Sequence, residues 1–156
     1  MEMGRNKLGS ANNEKIKSAN IGSVGEMMTA LELLLHGWEV YTQTICNPSS
    51  PFDLIAVRGT LTRRIQVKAT TRKYNNKQNK DTKHILKINK RKGGKKVLYE
   101  KVDCDFIVIV AMDEGWFFVV PPERFKSQTV SIYKSSNGNA AGWIAEYKDA
   151  WDLLED

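Results

Sequence analysis

Eighteen residues, Pro51 to Lys68 (P-F-D-L-I-A-V-R-G-T-L-T-R-R-I-Q-V-K), restrict the fold of this chain more than any other stretch. Phe52 to Val57 is an apolar run of strand length, and Arg58-Gly59-Thr60 has turn chemistry. Arg63 to Ala69 then alternates polar and apolar residues, so the segment reads as two short antiparallel strands. Pro51 has no amide hydrogen to donate and fixes the entry to the first strand at Asp53. Gln66 and Lys68 lie two residues apart on the second strand and project to one face.

The flanking elements fit around that pair. Ser23-Val24-Gly25-Glu26 has the spacing of a capping box, in which a serine and a glutamate close the first turn of a helix. Met27, Met28, Leu31, Leu34 and Leu35 repeat at helical spacing, and Gly37 stops the helix. Trp38 to Gln43 reads as a strand and Thr44 to Pro51 as a polar loop, so a helix and three strands follow in order. Asp103 to Met112 reads as a buried strand, with Asp113-Glu114-Gly115 turning into another at Trp116 to Val120. Pro121 to Phe125 begins a short helix with proline in its first turn. Thr129 to Tyr133 suits one more strand, Ser135 to Gly142 a loop, and Tyr147 to Leu154 a C-terminal helix that docks Trp151, Leu153 and Leu154 on the core. The four tryptophans read as packing residues.

With 156 residues, 41% hydrophobic and 27% charged, the chain is sized for one globular domain with one core. Residues 1–20 read as a flexible polar arm, and 21–156 as the domain. The longest apolar run, Phe106 to Met112, is too short to span a bilayer, and the N-terminus lacks the apolar core of a signal peptide. Cys46 and Cys104 make neither a disulfide framework nor a zinc site, and the cytosol is the expected compartment. His36 and His84 lack metal-ligand spacing, and there is no nucleophile elbow, Walker loop or dinucleotide fingerprint.

The net charge of +6 is unevenly spread. Thr71 to Lys101 holds twelve Lys or Arg against two acids, whereas the rest holds twelve against sixteen. The basic segment follows directly from the strand that carries Lys68. Its cations Arg72, Lys73, Lys77, Lys80, Lys83, Lys87, Lys90, Arg91, Lys92, Lys95 and Lys96 are candidates for contact with DNA. His84 to Ile88 and Val97 to Tyr99 flank a tight turn at Arg91 to Lys96, and together they suggest a lysine-tipped ribbon that fits a major groove.

An acid beside an amide oxygen and a lysine can converge on one metal ion and one phosphate, the needs of phosphodiester hydrolysis. Asp53 is the carboxylate of the strand pair and the first candidate ligand. The Gln66 side-chain carbonyl and the Val67 backbone carbonyl are further hard oxygens suited to Mg2+, with Mn2+ able to substitute. Lys68 can orient or deprotonate the attacking water, or stabilise developing negative charge. Taken singly, each residue has a simpler explanation: Asp53 as a partner of Arg63 or Arg64, Gln66 as a surface residue, Lys68 as an exposed strand lysine, and Glu26 as a cap.

P-x-D followed by Q-x-K resembles the PD-(D/E)XK nuclease superfamily, with glutamine in place of the second acid. The wider order is G-E on a helix, G-W-E-V, P-F-D-L, I-Q-V-K, D-F-I-V-I-V, V-P-P and W-D-L-L. It is most similar to the small group I intron-encoded homing endonucleases and their free-standing phage and bacterial relatives. The resemblance implies an α/β restriction-endonuclease-like core, with a mixed sheet of four or five strands flanked by helices and the site at one edge. It implies a role for Glu26 beside the metal, acting through water, with Asp53, Gln66 and Lys68 as the catalytic set. The expected function is a Mg2+-dependent endonuclease of duplex DNA, sequence-specific and acting as a homodimer or homotetramer. A Holliday-junction resolvase and a non-cleaving DNA-binding protein are the alternatives.

Overall fold

A computed structural model describes residues 18–42, 50–71, 73–75 and 82–156, with the side chains of 18, 19, 73–75 and 82 left aside. Helix α1 (Ser18–Leu35) is followed by β1 (Glu39–Thr42), β2 (Leu54–Arg58) and β3 (Leu61–Thr70). Strands β4 (Lys73–Asn75), β5 (Thr82–Lys87), β6 (Lys90–Lys92) and β7 (Lys95–Val97) come from the basic segment. The chain then forms β8 (Phe106–Ala111), β9 (Trp116–Val120), β10 (Thr129–Lys134) and β11 (Ala140–Ala141).

The central sheet has the order β1-β2-β3-β8-β9. Only β3 and β8 are parallel, and the other neighbours are antiparallel, so this is the expected mixed sheet. β8 and β9 have no alternating pattern because both of their faces are covered. One face, with Val67, Val108, Val110, Phe117 and Val119, meets Leu33 of α1 and Trp151 and Leu154 from the C-terminus. The other, with Ile107, Ile109, Phe118 and Val120, packs on Leu86, Val130 and Ile132 of a second sheet ordered β11-β10-β5-β4, and on Ile88 just beyond β5.

Several local expectations change. Helix α1 begins at Ser18, so Ser23 and Glu26 sit inside it and form no N-terminal capping box. Serine and glutamate three apart satisfy that motif wherever they fall in a helix, and the turn upstream is helical here. Gly37 does stop the helix, with φ of 80° and its N–H donated to the Leu34 carbonyl. The hairpin of the basic segment is β6 with β7, turning at Gly93 and Gly94, both at positive φ. His84 and its neighbours in β5 pair with β10 and β4 instead. Among the described residues α1 is the one α-helix. The turn after Pro121 and the two C-terminal segments, Trp143–Tyr147 and Trp151–Glu155, are 3-10. Trp38, Trp116 and Trp151 are buried as packing residues, while Trp143 is half-exposed against Phe125 and Tyr147.

Candidate active site

The register of β2 on β3 creates the site. Leu54 pairs with Ile65, and there β2 begins, whereas β3 runs on to Thr70. Beyond Ile65 the middle strand of the sheet therefore has no strand beside it on the β2 side. Asp53, whose own N–H is bonded to the Ile65 carbonyl, fills the gap with its side chain. Its Oδ2 accepts the backbone N–H of Val67 at 2.7 Å and Nε2 of Gln66 at 2.6 Å. The site thus lies over the central strand, at the point where that strand becomes locally an edge.

Gln66 is buried, and Nε2 also donates to the Val67 carbonyl at 3.0 Å. Both amide hydrogens are thereby used, and Oε1 is left as the side chain's acceptor. Lys68, half-buried, projects to the same face, with Nζ 5.2 Å from the ring centroid of Tyr99. Burial lowers the Lys68 ammonium pKa, and Asp53 works against that by favouring the charged form. Burial raises the Asp53 carboxyl, opposed by the Val67 N–H and by Lys68. Glu26 is raised as well, first by burial and then by the charge of Asp53. The carboxylate on the helix thus lies within the electrostatic reach of the one on the sheet.

Close helix packing brings Glu26 there. Gly25 is buried against Ala69 and Val67 of β3, and a side chain at Gly25 would overlap the Ala69 Cβ. Thr29, one turn on, is buried, and its hydroxyl bonds back to the Gly25 carbonyl at 2.9 Å. The simpler explanations lose their support. Arg64 is committed to Asp105 and to the carbonyls of Lys101 and Val102, and Arg63 donates to the Leu154 carbonyl. Neither pairs with Asp53.

Among the described residues no three His, Cys, Asp or Glu cluster as a metal group. Two carboxylates with the Gln66 and Val67 oxygens are instead a hard, oxygen-only donor set. That set fits a cation such as Mg2+, which keeps several waters, and it does not fit zinc.

Tyr99 is the residue that sequence reasoning missed. It is buried, its ring faces Lys68, and burial together with Asp53 pushes its hydroxyl pKa up. Nothing in its local sequence marks it, since it reaches the site only through the return of the β6–β7 hairpin. Cys104 lies buried nearby with its thiol pushed up to about 12, chiefly by burial, and is thus no nucleophile.

The proposed DNA contacts divide. Arg72, Lys77 and Lys80 lie outside the described residues, as does the side chain of Lys73. Arg91, Lys92, Lys95 and Lys96 are exposed on the β6–β7 hairpin and Lys87 on β5, whereas Lys83 is half-buried. Lys90 is turned inward and ion-paired with Asp103.

Comparison with known proteins bears on the fold and the family. No curated protein sequence matches the chain. The solved structure of a bacterial homing endonuclease, I-Ssp6803I, superposes with a TM-score of 0.70 at 16% identity, over 89% of this chain and 93% of that one. A family model described as PD-(D/E)XK endonuclease matches residues 16–154. The chain therefore belongs to the PD-(D/E)XK endonuclease family.

Proposed function

We propose that this protein is a Mg2+-dependent endonuclease that hydrolyses phosphodiester bonds in duplex DNA at a preferred sequence. The observation that carries the reading is the meeting of Asp53, Gln66 and Lys68 on one ledge of β3, with Glu26 brought into the field of Asp53. Asp53, the Val67 carbonyl and the Gln66 Oε1 would hold the cation once the Gln66 amide turns over from the orientation in which its Nε2 donates to Asp53 and Val67, and Glu26 would act through a water. When bound, Mg2+ supplies the charge that lowers the pKa of a water and neutralises a phosphate oxygen.

The protein's own groups do the rest. Lys68 orients the attacking water and offsets the negative charge that develops on the phosphorus oxygens. Its lowered pKa keeps the neutral amine within reach for accepting a proton. The exposed cations of the β6–β7 hairpin draw the duplex backbone to this face. The structural relative is itself described as a homing endonuclease, which favours a sequence-specific substrate. One site cuts one strand, so a double-strand break calls for at least two copies.

The test is incubation of supercoiled plasmid and of a synthetic four-way junction with wild type, Asp53→Ala and Lys68→Ala. Each is run in Mg2+, in Mn2+ and with chelator. Metal-dependent cutting of the plasmid that both variants lose is the expected result. Preferred cutting of the junction would favour a resolvase. Tight, salt-sensitive binding with no cleavage of plasmids carrying random target libraries would favour a non-cleaving DNA-binding protein. Full activity of Asp53→Ala would sink the site assignment.

A further inference from the structure

Helix α1 is apolar around most of its circumference, and among the described residues only one side of it is covered. Gly25, Thr29 and Leu33, spaced by four, are buried on the sheet. On the opposite side Val24, Met27, Leu31 and Leu34 follow the 3-4-3 spacing of a coiled-coil seam, with Leu35 beside them. These five side chains are between 40% and 73% exposed, and they make up half of the large apolar residues left exposed among the described residues. A helix that is apolar on both sides is normally covered on both. No described helix is long and apolar enough to cross a membrane, so the cover is not a bilayer spanned by α1.

We infer that the outward stripe of α1 is the surface on which a second copy of this chain docks, helix against helix around a two-fold axis. Three observations select that occupant. The stripe carries no charge, and α1 holds no Lys or Arg at all, so it complements neither a duplex nor a charged peptide; an apolar seam complements itself. Residues 1–17, which directly precede α1, have only Met1, Met3, Leu8 and Ile16 as large apolar side chains among six charged ones, too few to cover it. Two apposed stripes would bury on the order of 1,000 Å2, near the lower bound of specific interfaces.

The stripe also adjoins the site. Met27 follows Glu26 directly, so the two project about 100° apart around the helix, Glu26 half-buried and Met27 exposed. A two-fold axis along α1 would therefore join two catalytic ledges through the helices that line them. It would leave the basic β6–β7 hairpin of each copy free. The inference rests on the reading that cleavage of both strands needs two sites, but its physical content is association.

Sedimentation velocity at micromolar concentration tests it without any cleavage. Wild type is expected to run as a dimer or a larger even assembly. Leu34→Lys alone should weaken association at least tenfold, and Met27→Lys with Leu31→Lys should run as a monomer. Far-UV circular dichroism should stay unchanged, since the altered side chains are exposed. A plasmid assay on the same proteins separates this inference from the nuclease reading: the monomeric variant is expected to nick but no longer to linearise. A wild type that sediments as a monomer, or folded lysine variants that associate as wild type does, would overturn the interface whatever the plasmid shows.

Discussion

A carboxylate in place of the Gln66 amide would face Asp53 Oδ2 across what is now a 2.6 Å hydrogen bond. Gln66 donates there, and an ionised glutamate cannot, so two buried like charges would meet. Gln66→Glu is accordingly expected to melt at a lower temperature than wild type without metal. Mg2+ should then raise its melting temperature more than it raises that of wild type, because the cation relieves the repulsion and gains a stronger ligand. Thermal unfolding with and without Mg2+ measures both, and an unchanged metal-free melting temperature would refute the argument. Lys68 offers a second case. The face of the Tyr99 ring favours the ammonium form of a group that burial otherwise discharges. Tyr99→Leu keeps an apolar wall but removes that attraction, so the Lys68 pKa is expected to fall further and the pH limb of cleavage proposed to report Lys68 to move to lower pH. Tyr99→Phe keeps the ring and should leave the limb in place. The pH–rate profiles of the two variants, together with an NMR titration of Lys68, check the sign.

Gly25 shows how one element sets the position of another. In an exposed helix, alanine is favoured over glycine by about 1 kcal/mol. Here an added Cβ would overlap the Ala69 Cβ, which cannot rotate aside, and overpacking of that kind costs about 1–3 kcal/mol. Gly25→Ala is thus expected to destabilise the protein and to push α1, with Glu26, off the ledge. Adding Ala69→Gly should recover much of the loss, and urea unfolding of the two single variants and the double closes the cycle. The same helix marks how far the sequence was legible. Its existence and its glycine stop were readable, because periodicity and turn chemistry are local signals. Its orientation was not, because periodicity tells which residues share a side and not which side finds a neighbour. Met27, Leu31 and Leu34 share one, and Leu33 with Gly25 holds the other against the sheet. Asp53, Gln66 and Lys68 were readable because the strand pair that joins them is contiguous in sequence. Tyr99 was not, since its approach to Lys68 depends on a hairpin and a connection whose closing contacts are tertiary. The second sheet was hidden for a related reason: β5 and β10 are far apart in sequence and pair without a turn of their own.

At the scale of the molecule, the described cations of the basic segment fall into two environments, and the hairpin exposes the difference. Lys92, Lys95 and Lys96 flank its glycine turn in full contact with solvent. Lys90, two residues earlier, is drawn inward to Asp103. Burial by itself would raise the Asp103 carboxyl, but the bond from Lys90 and the N–H of Glu100 hold it below the usual carboxylate range. A carboxylate depressed in the folded state adds stability above its unfolded pKa and loses it as the pH falls. Lys90→Ala is therefore expected to lower the melting temperature at neutral pH, with the deficit shrinking in acid as Asp103 becomes protonated. Alanine at Lys92, Lys95 and Lys96 together should leave the melting temperature nearly unchanged and act on DNA instead. Each neutralised phosphate contact contributes a slope of about −0.9 to the dependence of log K on log salt, so losing three should flatten it by roughly two to three. The loss should be similar for target and random duplexes, because contacts to phosphate position the protein without reading bases. Fluorescence-anisotropy titrations at several salt concentrations measure that slope for each protein. An unchanged slope in the triple variant would move the duplex off this hairpin.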